Sequence, residues 1–438
     1  MKLFYSILAA LACPLAQADD LLSSYHAAQA QDSVLASARA SHQAGQEKLT
    51  QGRALLMPTV NLTANSTFND NSIQYLAAGP FRSGNYRYNS HGYGVSLVQP
   101  LFRQQNWMSY TQSEVMVTQA DVQFQAAEQD LILRVAQAYF DVLLAQDNVQ
   151  LAEAQKTAIT EQLAQSKRNF EVGSATVTDV YEAQARFDLV NSQHIAAQSA
   201  LVVKRRALQQ LTGSRAEDLR TLDPALSLEA PQPPDMGKWV EDASLHNPQL
   251  TVARSAVELA DQEVSRNLGG HLPTVDLVAS YANNNANGGT FGVGSTSKST
   301  LVGVQLNLPI FQGMSTQSKY REAAANRDRA QQDLETARRN VELQTQQAYL
   351  GVETGIAQVQ ALQQALKSSD SLLEASKLGQ EVGVRTNLDV LNAQQQLYST
   401  RRDLYQAEYN YLLSRLKLKA AVGALNEDDL VAVNRALH

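Results

Sequence analysis

The stretch VGSATVTDVYEAQ at residues 172–184 returns as VGVRTNLDVLNAQ at residues 382–394, 210 residues further on. The recurrence extends along the chain. LMPTVNL (56–62) returns as HLPTVDL (271–277), QPLF (99–102) as LPIF (308–311), Ala138-Tyr139 as Ala348-Tyr349, and LTG (211–213) as AVG (421–423). The offset begins at 215, falls to 209 and settles at 210, so a loop of different length separates the first two landmarks in the two copies. A chain built this way is two copies of one unit, helix–strand–loop–strand–helix–helix, and each half must find the same fold. The halves are read as 19–213 and 240–423, joined by a linker at 214–239 and followed by a tail at 424–438.

Long helices dominate each unit. No Gly or Pro interrupts 102–172. Ala120, Phe124, Ala127, Leu131, Val135, Ala138, Val142, Ala145, Val149 and Ala152 step by three and four, a heptad seam with one stutter. A helix over 101–172 is about 105 Å long at 1.5 Å per residue. Gly173 ends it, and a second helix is expected over 174–212. Prolines 224, 231, 233 and 234 make the linker irregular. A helix over 240–268 follows, then a long helix over 314–381 and another over 384–422, with an N-terminal helix at about 20–55. The helix at 174–212 and that at 240–268 sum to the length of the long one, and 384–422 is expected to stack on the N-terminal helix. The result is a wall of antiparallel helices, some continuous and some stacked end to end, with linker and tail as a belt at mid-height.

The strand pairs at 59–99 and 274–308 have another character. Val60 and Leu62, then Tyr93, Val95 and Leu97, then Val275, Leu277, Ala279 and Tyr281, then Val302, Val304, Leu306 and Leu308 each fall on one face, with Asn, Thr, Ser, Asp or Gln opposite. This alternation fits a membrane β-barrel strand or a half-buried soluble sheet. The polar stretches 69–91 and 283–299 read as exposed loops. Four strands cannot close a wide barrel, and an open edge cannot face lipid, so a membrane destination requires several chains to share one barrel.

The N-terminus favours export. Lys2, the apolar run LFYSILAALACPLA and Ala16-Gln17-Ala18 form a signal peptide over 1–18. Cys13, the only cysteine, lies within it, and Ala10 stands where a lipid-anchor motif carries leucine. A net charge of −7 gives no basic face for nucleic acid. The seven histidines are scattered, with no HExxH, Cys/His cluster or P-loop, so neither enzyme chemistry nor a cofactor is expected. GGTFGVG (288–294) lies between two strands with no helix after it and reads as a loop.

The duplicated PTV strands, the VG turns and the run VGVRTNLDVLNAQQQLYSTRRDLYQAEYNYLLSRLKLKAAVGALNEDDL resemble the TolC family of outer-membrane efflux and type I secretion channels, over essentially the whole chain after the signal peptide. The resemblance implies a fold that is mainly α with membrane β: a homotrimer in which four strands per chain make a twelve-stranded barrel in outer-membrane lipid, continued by an α-helical coiled-coil barrel through the periplasm. It implies a periplasmic adaptor (membrane fusion) protein and an inner-membrane transporter driven by ATP or protons as partners. It places the periplasmic tips, and the adaptor contact, at Val172, Gly173, Val382 and Gly383. It places a pore constriction at Asp389 and Asn392. There a ring of Asp389 carboxylates attracts and is blocked by divalent cations, and an amide replaces the family's second acidic ring. It implies a gate latch in which Arg385 pairs with Asp179, with Thr178 alongside and Gln380 where a tyrosine is often found. A periplasmic coiled-coil structural protein without a pore is the alternative; it leaves the four strands without a role.

Overall fold

The structure is a computed structural model that describes residues 20–76, 80, 83–215, 219–223, 226–289 and 293–437. The signal peptide at 1–18, Pro224 and the centre of GGTFGVG lie outside the described residues. In chain order the elements are α1 (Leu21–Gln31), α2 (Ser33–Ala54), β1 (Thr59–Ile73), β2 (Gly84–Phe102), α3 (Gln104–Glu171), α4 (Val177–Thr212), α5 (Met236–His246), α6 (Pro248–Leu268), β3 (Thr274–Ala286), β4 (Ser295–Asn307), α7 (Ser315–Glu381), α8 (Asn387–Val422) and α9 (Glu427–Asn434). Each half runs through the same succession: two short helices, two strands, a helix of 68 or 67 residues, and one of 36. The chain divides into two compact units. One holds residues up to 39, 124–250 and 338–438; the other holds 40–123 and 251–337.

The second unit carries an antiparallel sheet in the order β1-β2-β3-β4. Its register puts the expected apolar residues that fall within the strands on one face; Leu308 lies just beyond β4. Val60 lies opposite Leu97 and Leu62 opposite Val95. Leu97 pairs with Ala279 and Val95 with Tyr281. Ala279, Leu277 and Val275 pair with Val302, Val304 and Leu306. Most of this face is open: Leu62 is 72% exposed, Val302 72% and Val304 65%. The strands run further than the alternation foretold. Asn69 to Ile73 of β1 pair with Gly84 to Tyr88 of β2, and Asn283 to Ala286 pair with Ser295 to Lys298, so much of the expected loops is ladder. Those residues are polar on both faces, and hydrophobic alternation cannot see a strand that buries neither side. Near the foot of the sheet, Arg103 grips Asp276 through two hydrogen bonds of 2.8 and 2.7 Å.

The first unit is a helical bundle. Leu131, Val135, Val142 and Ala145 of the foretold seam are buried. So are Ile132, Ala136, Tyr139, Phe140 and Leu143 beside them, which makes the apolar face of α3 wider than a two-position coiled-coil seam. Two expected helices are broken. The N-terminal one stops at Asp32, whose carboxylate accepts from Leu35 N–H at 2.8 Å and caps α2. The helix expected over 240–268 begins at Met236 and breaks at Asn247, whose Oδ1 accepts from Gln249 and Leu250 N–H and caps α6. These breaks decide which helices meet. The α4 terminus at Gly213 abuts Gln31, and the α8 terminus at Gly423 abuts His246 and Pro248. Asn247 Nδ2 donates to Ala421 O at 2.8 Å. Stacking therefore joins α4 to the N-terminal helices and α8 to the α5–α6 pair, the reverse of the pairing expected from lengths. Linker and tail meet through a Leu222–Leu437 bridge and Asp223 N–H to Ala436 O at 2.9 Å, while Asn434 bonds Asp20 and Leu21 at the chain's first described residues.

Candidate functional site

The tips of the two long hairpins are alike in backbone. Gly173 and Gly383 take φ of +75° and +79°, the left-handed conformation that costs an L side chain about 1–2 kcal/mol. Both are open on all sides. Three residues later Thr176 and Thr386 cap α4 and α8. Thr176 donates from N and Oγ1 to Asp179 at 2.8 and 2.7 Å, and Asp179 N–H returns to Thr176 Oγ1 at 3.3 Å. Thr386 and Asp389 repeat the box at 2.8, 2.8 and 3.2 Å. The recurring aspartate is thus the N3 residue of a capping box, and its charge also favours the helix N-terminus. The hydrogen bonds from Thr386, with Arg385 nearby, hold the Asp389 carboxyl below the usual carboxylate range.

Within one chain the expected Arg385–Asp179 ion pair is not formed. Arg385 Nη1, in the turn before α8, lies 3.8 Å from Oδ1 of Asp389, four residues on in the same hairpin. Two local causes explain this. The Asp179 carboxylate is engaged by its own helix cap. The Arg385 stem lies across Gly379, where a Cβ would stand 2.6 Å from Arg385 Cγ, and this seats the side chain on the second hairpin. Thr178 is exposed. Val172, Val382 and Val384 are exposed by 78%, 67% and 76%, so each tip presents bare aliphatic surface.

Three residues that sequence reasoning passed over organise the space between the hairpins. Asn392, expected at the second level of the constriction, accepts from Arg186 Nη2 at 3.0 Å, and Arg186 Nη1 donates to Gln395. Arg186 therefore bridges α4 to α8 through two neutral amides; among the described residues it has no carboxylate partner. Asn387, the first residue of α8, is buried and bonds Gln162 and Ser166 of α3. Above it, Leu391 packs between Ile159 of α3 and Val190 of α4, while Val390, Ala393 and Leu397 pack on Leu373 of α7. Burying a leucine such as Leu391 stabilises by roughly 2 kcal/mol. Nothing at the tips forms a metal-binding group, and none occurs among the described residues.

The profile of the family described as "Outer membrane efflux protein" matches residues 24–214 and 239–424, nearly all of both halves. The outer membrane protein TolC of Vibrio cholerae is 35% identical over 96% of this chain and 94% of that protein. The alkaline protease secretion protein AprF of Pseudomonas aeruginosa is 33% identical over 94% of this chain and 86% of that protein. Among solved structures, the Campylobacter jejuni CmeC outer membrane channel superposes with a TM-score of 0.81 at 16% identity, over 96% of this chain and 89% of that one.

Proposed function

This chain belongs to the outer membrane efflux protein family, and on that premise we propose how it serves as the outer-membrane channel of an efflux or type I secretion system. The observation that carries the proposal is the sheet: an apolar face open to its surroundings, and edge strands β1 and β4 with unpaired backbone groups. Water disfavours the face and lipid disfavours the edges. Both are satisfied when copies join β4 to β1 around an axis with the apolar face outward. Three copies give twelve strands, with the family resemblance supplying the number. The long helices then continue the same tube through the periplasm.

The tips form its gated entrance. Asp389 supplies a ring of carboxylates and Asn392 a ring of amides. Asp179, Thr178, Arg385 and Gln380 line the contact between the two hairpins, whose parting widens the mouth. The exposed valines at 172, 382 and 384 and the turns at Gly173 and Gly383 offer an adaptor the apolar anchors of helix-in-groove docking. Energy comes from an inner-membrane transporter driven by ATP or protons, the partner that the family resemblance implies. The test is direct. Purified protein should partition with outer membranes, migrate as a detergent-resistant oligomer until heated, and conduct ions across a planar bilayer. A detergent monomer that passes no current would overturn the reading.

A further inference from the structure

The Asn387 side chain is saturated by partners from every helix of the tip. Its Oδ1 accepts from Gln162 Nε2 of α3 at 2.5 Å and from Gln380 Nε2 of α7 at 3.4 Å. Its Nδ2 donates to Ser166 Oγ of α3 at 3.3 Å and to the backbone oxygen of Asp179 on α4 at 3.4 Å. An amide has two donor hydrogens and two acceptor lone pairs, and all four are used. Asn387 is 9% exposed, Gln162 7% and Ser166 3%. The equivalent of Asn387 in the first half is Val177, which is 45% exposed and takes part in no such network. The amide is therefore a feature of one hairpin only, and it reaches from that hairpin into the other.

We propose that Asn387 is the fastener of the entrance, a neutral amide hub that holds the α7–α8 hairpin against α3–α4 where an ionic latch was expected. This deepens the reading of the tips as a gate and rests on it. Parting the hairpins breaks the bonds to Gln162, Ser166 and the Asp179 carbonyl together; Asn387 then keeps only Gln380 on its own hairpin, and its Nδ2 and the Gln162 amide lack partners until water enters. Unsatisfied buried amides are costly, so the hub makes opening cooperative: the bonds are kept or lost as a set. Because no partner is charged, salt does not screen it.

Single-channel recording on the assembled full-length protein tests this. Asn387→Val, which copies Val177 into the second half, should raise the open-to-closed ratio roughly tenfold, equivalent to about 1.4 kcal/mol. Gln162→Leu should raise it in the same direction. The excess over parent should be the same in dilute and molar KCl; an excess that vanishes in molar KCl would show that a screened ion pair, not the amide hub, carries the closure. Correct assembly is read from heat-modifiable migration. A Ser166→Cys/Asn387→Cys pair covers the case in which Asn387→Val fails to assemble, since Cys13, the only natural cysteine, lies in the expected signal peptide. Oxidised, the pair should conduct like the parent; reduced, it should open. Conductance unchanged by either substitution, or by reduction of the pair, overturns the fastener. A parent that passes no current overturns the channel reading itself.

Discussion

Arg385, in the turn that precedes α8, faces Asp389 at 3.8 Å and leaves Asp179 to the cap of α4. The negative charge at the proposed constriction is therefore tempered by a cation in the adjoining turn, and the Asp389 carboxyl is held low chiefly by Thr386. A carboxyl lowered in this way stays ionised as pH falls until its depressed value is crossed. Block of the channel by Mg²⁺ should follow that titration. Asp389→Ala should relieve it. Thr386→Val, which removes the hydroxyl donor, should shift the midpoint of block toward neutral pH. Equal midpoints in Thr386→Val and parent would show that the hydroxyl adds nothing to the hold of the Thr386 backbone N–H on this charge.

Arg186, which has no carboxylate partner among the described residues, adds a positive charge at the level of Asn392. Rings of fixed charge set the ion preference of a narrow pore. Arg186→Gln should increase the preference for cations over anions, read as a larger reversal potential in a KCl gradient. Asn392→Asp should act in the same direction but more weakly, because the new carboxylate meets the guanidinium. An unchanged reversal potential in Arg186→Gln would place that side chain outside the conducting path.

Glu408 is pushed up to about 7 by burial and by the nearby Asp147, whose carboxylate accepts from Tyr409 Oη at 2.6 Å. A raised carboxyl stabilises the fold when protonated. Its contribution is full below the ordinary glutamate range, near 4.5, and is lost as pH rises through about 7. Allowing for its partial exposure, the loss is about 1–2 kcal/mol. Glu408→Gln should melt on the order of 2 °C higher than parent at pH 8 and equally at pH 5. A shift of the same size at both pH values would mean that packing, not ionisation, is responsible.

Asp32 is buried, caps α2, and receives both terminal nitrogens of Arg134 at 3.0 and 2.9 Å. Removing Asp32 takes away the α2 cap and leaves Arg134, whose Nε still reaches Asp130 at 2.6 Å, with one carboxylate instead of two, at a cost of about 1–3 kcal/mol. Asp32→Ala should lower the urea midpoint sharply. Asp32→Asn keeps the cap acceptor and should cost less. Replacing both residues by leucine should recover most of the loss, and failure to recover would mean that the cap, not the ion pair, carries the site.

The elements that repeat were legible because their signals are local. Period-two alternation named the apolar face of all four strands, and pairing put those residues side by side. Gly173 and Gly383 announced the hairpin turns. The polar ends of β1–β4 were hidden because they bury neither face. Asn247-Pro248 was a readable helix break that the surrounding apolar periodicity outweighed, whereas Asp32 carries no Gly or Pro beside it. Of the site, Asp179 and Asp389 were visible from their recurrence. The Asn387 hub was not, since it gathers positions 162, 166, 380 and 387 from three helices, and an asparagine at a helix start reads as an ordinary first-turn residue. Arg186 reads alone as one solvated charge among many.

The capping boxes impose a division of labour on the mouth of the tube. At 389 an acid must remain if α8 is to start cleanly, so its electric field comes bundled with folding. Position 392 lies a turn beyond the cap and owes the helix nothing. A change of residue there can alter which ions or cargoes the mouth welcomes without disturbing the start of α8, and Asn392 meets Arg186 at that level.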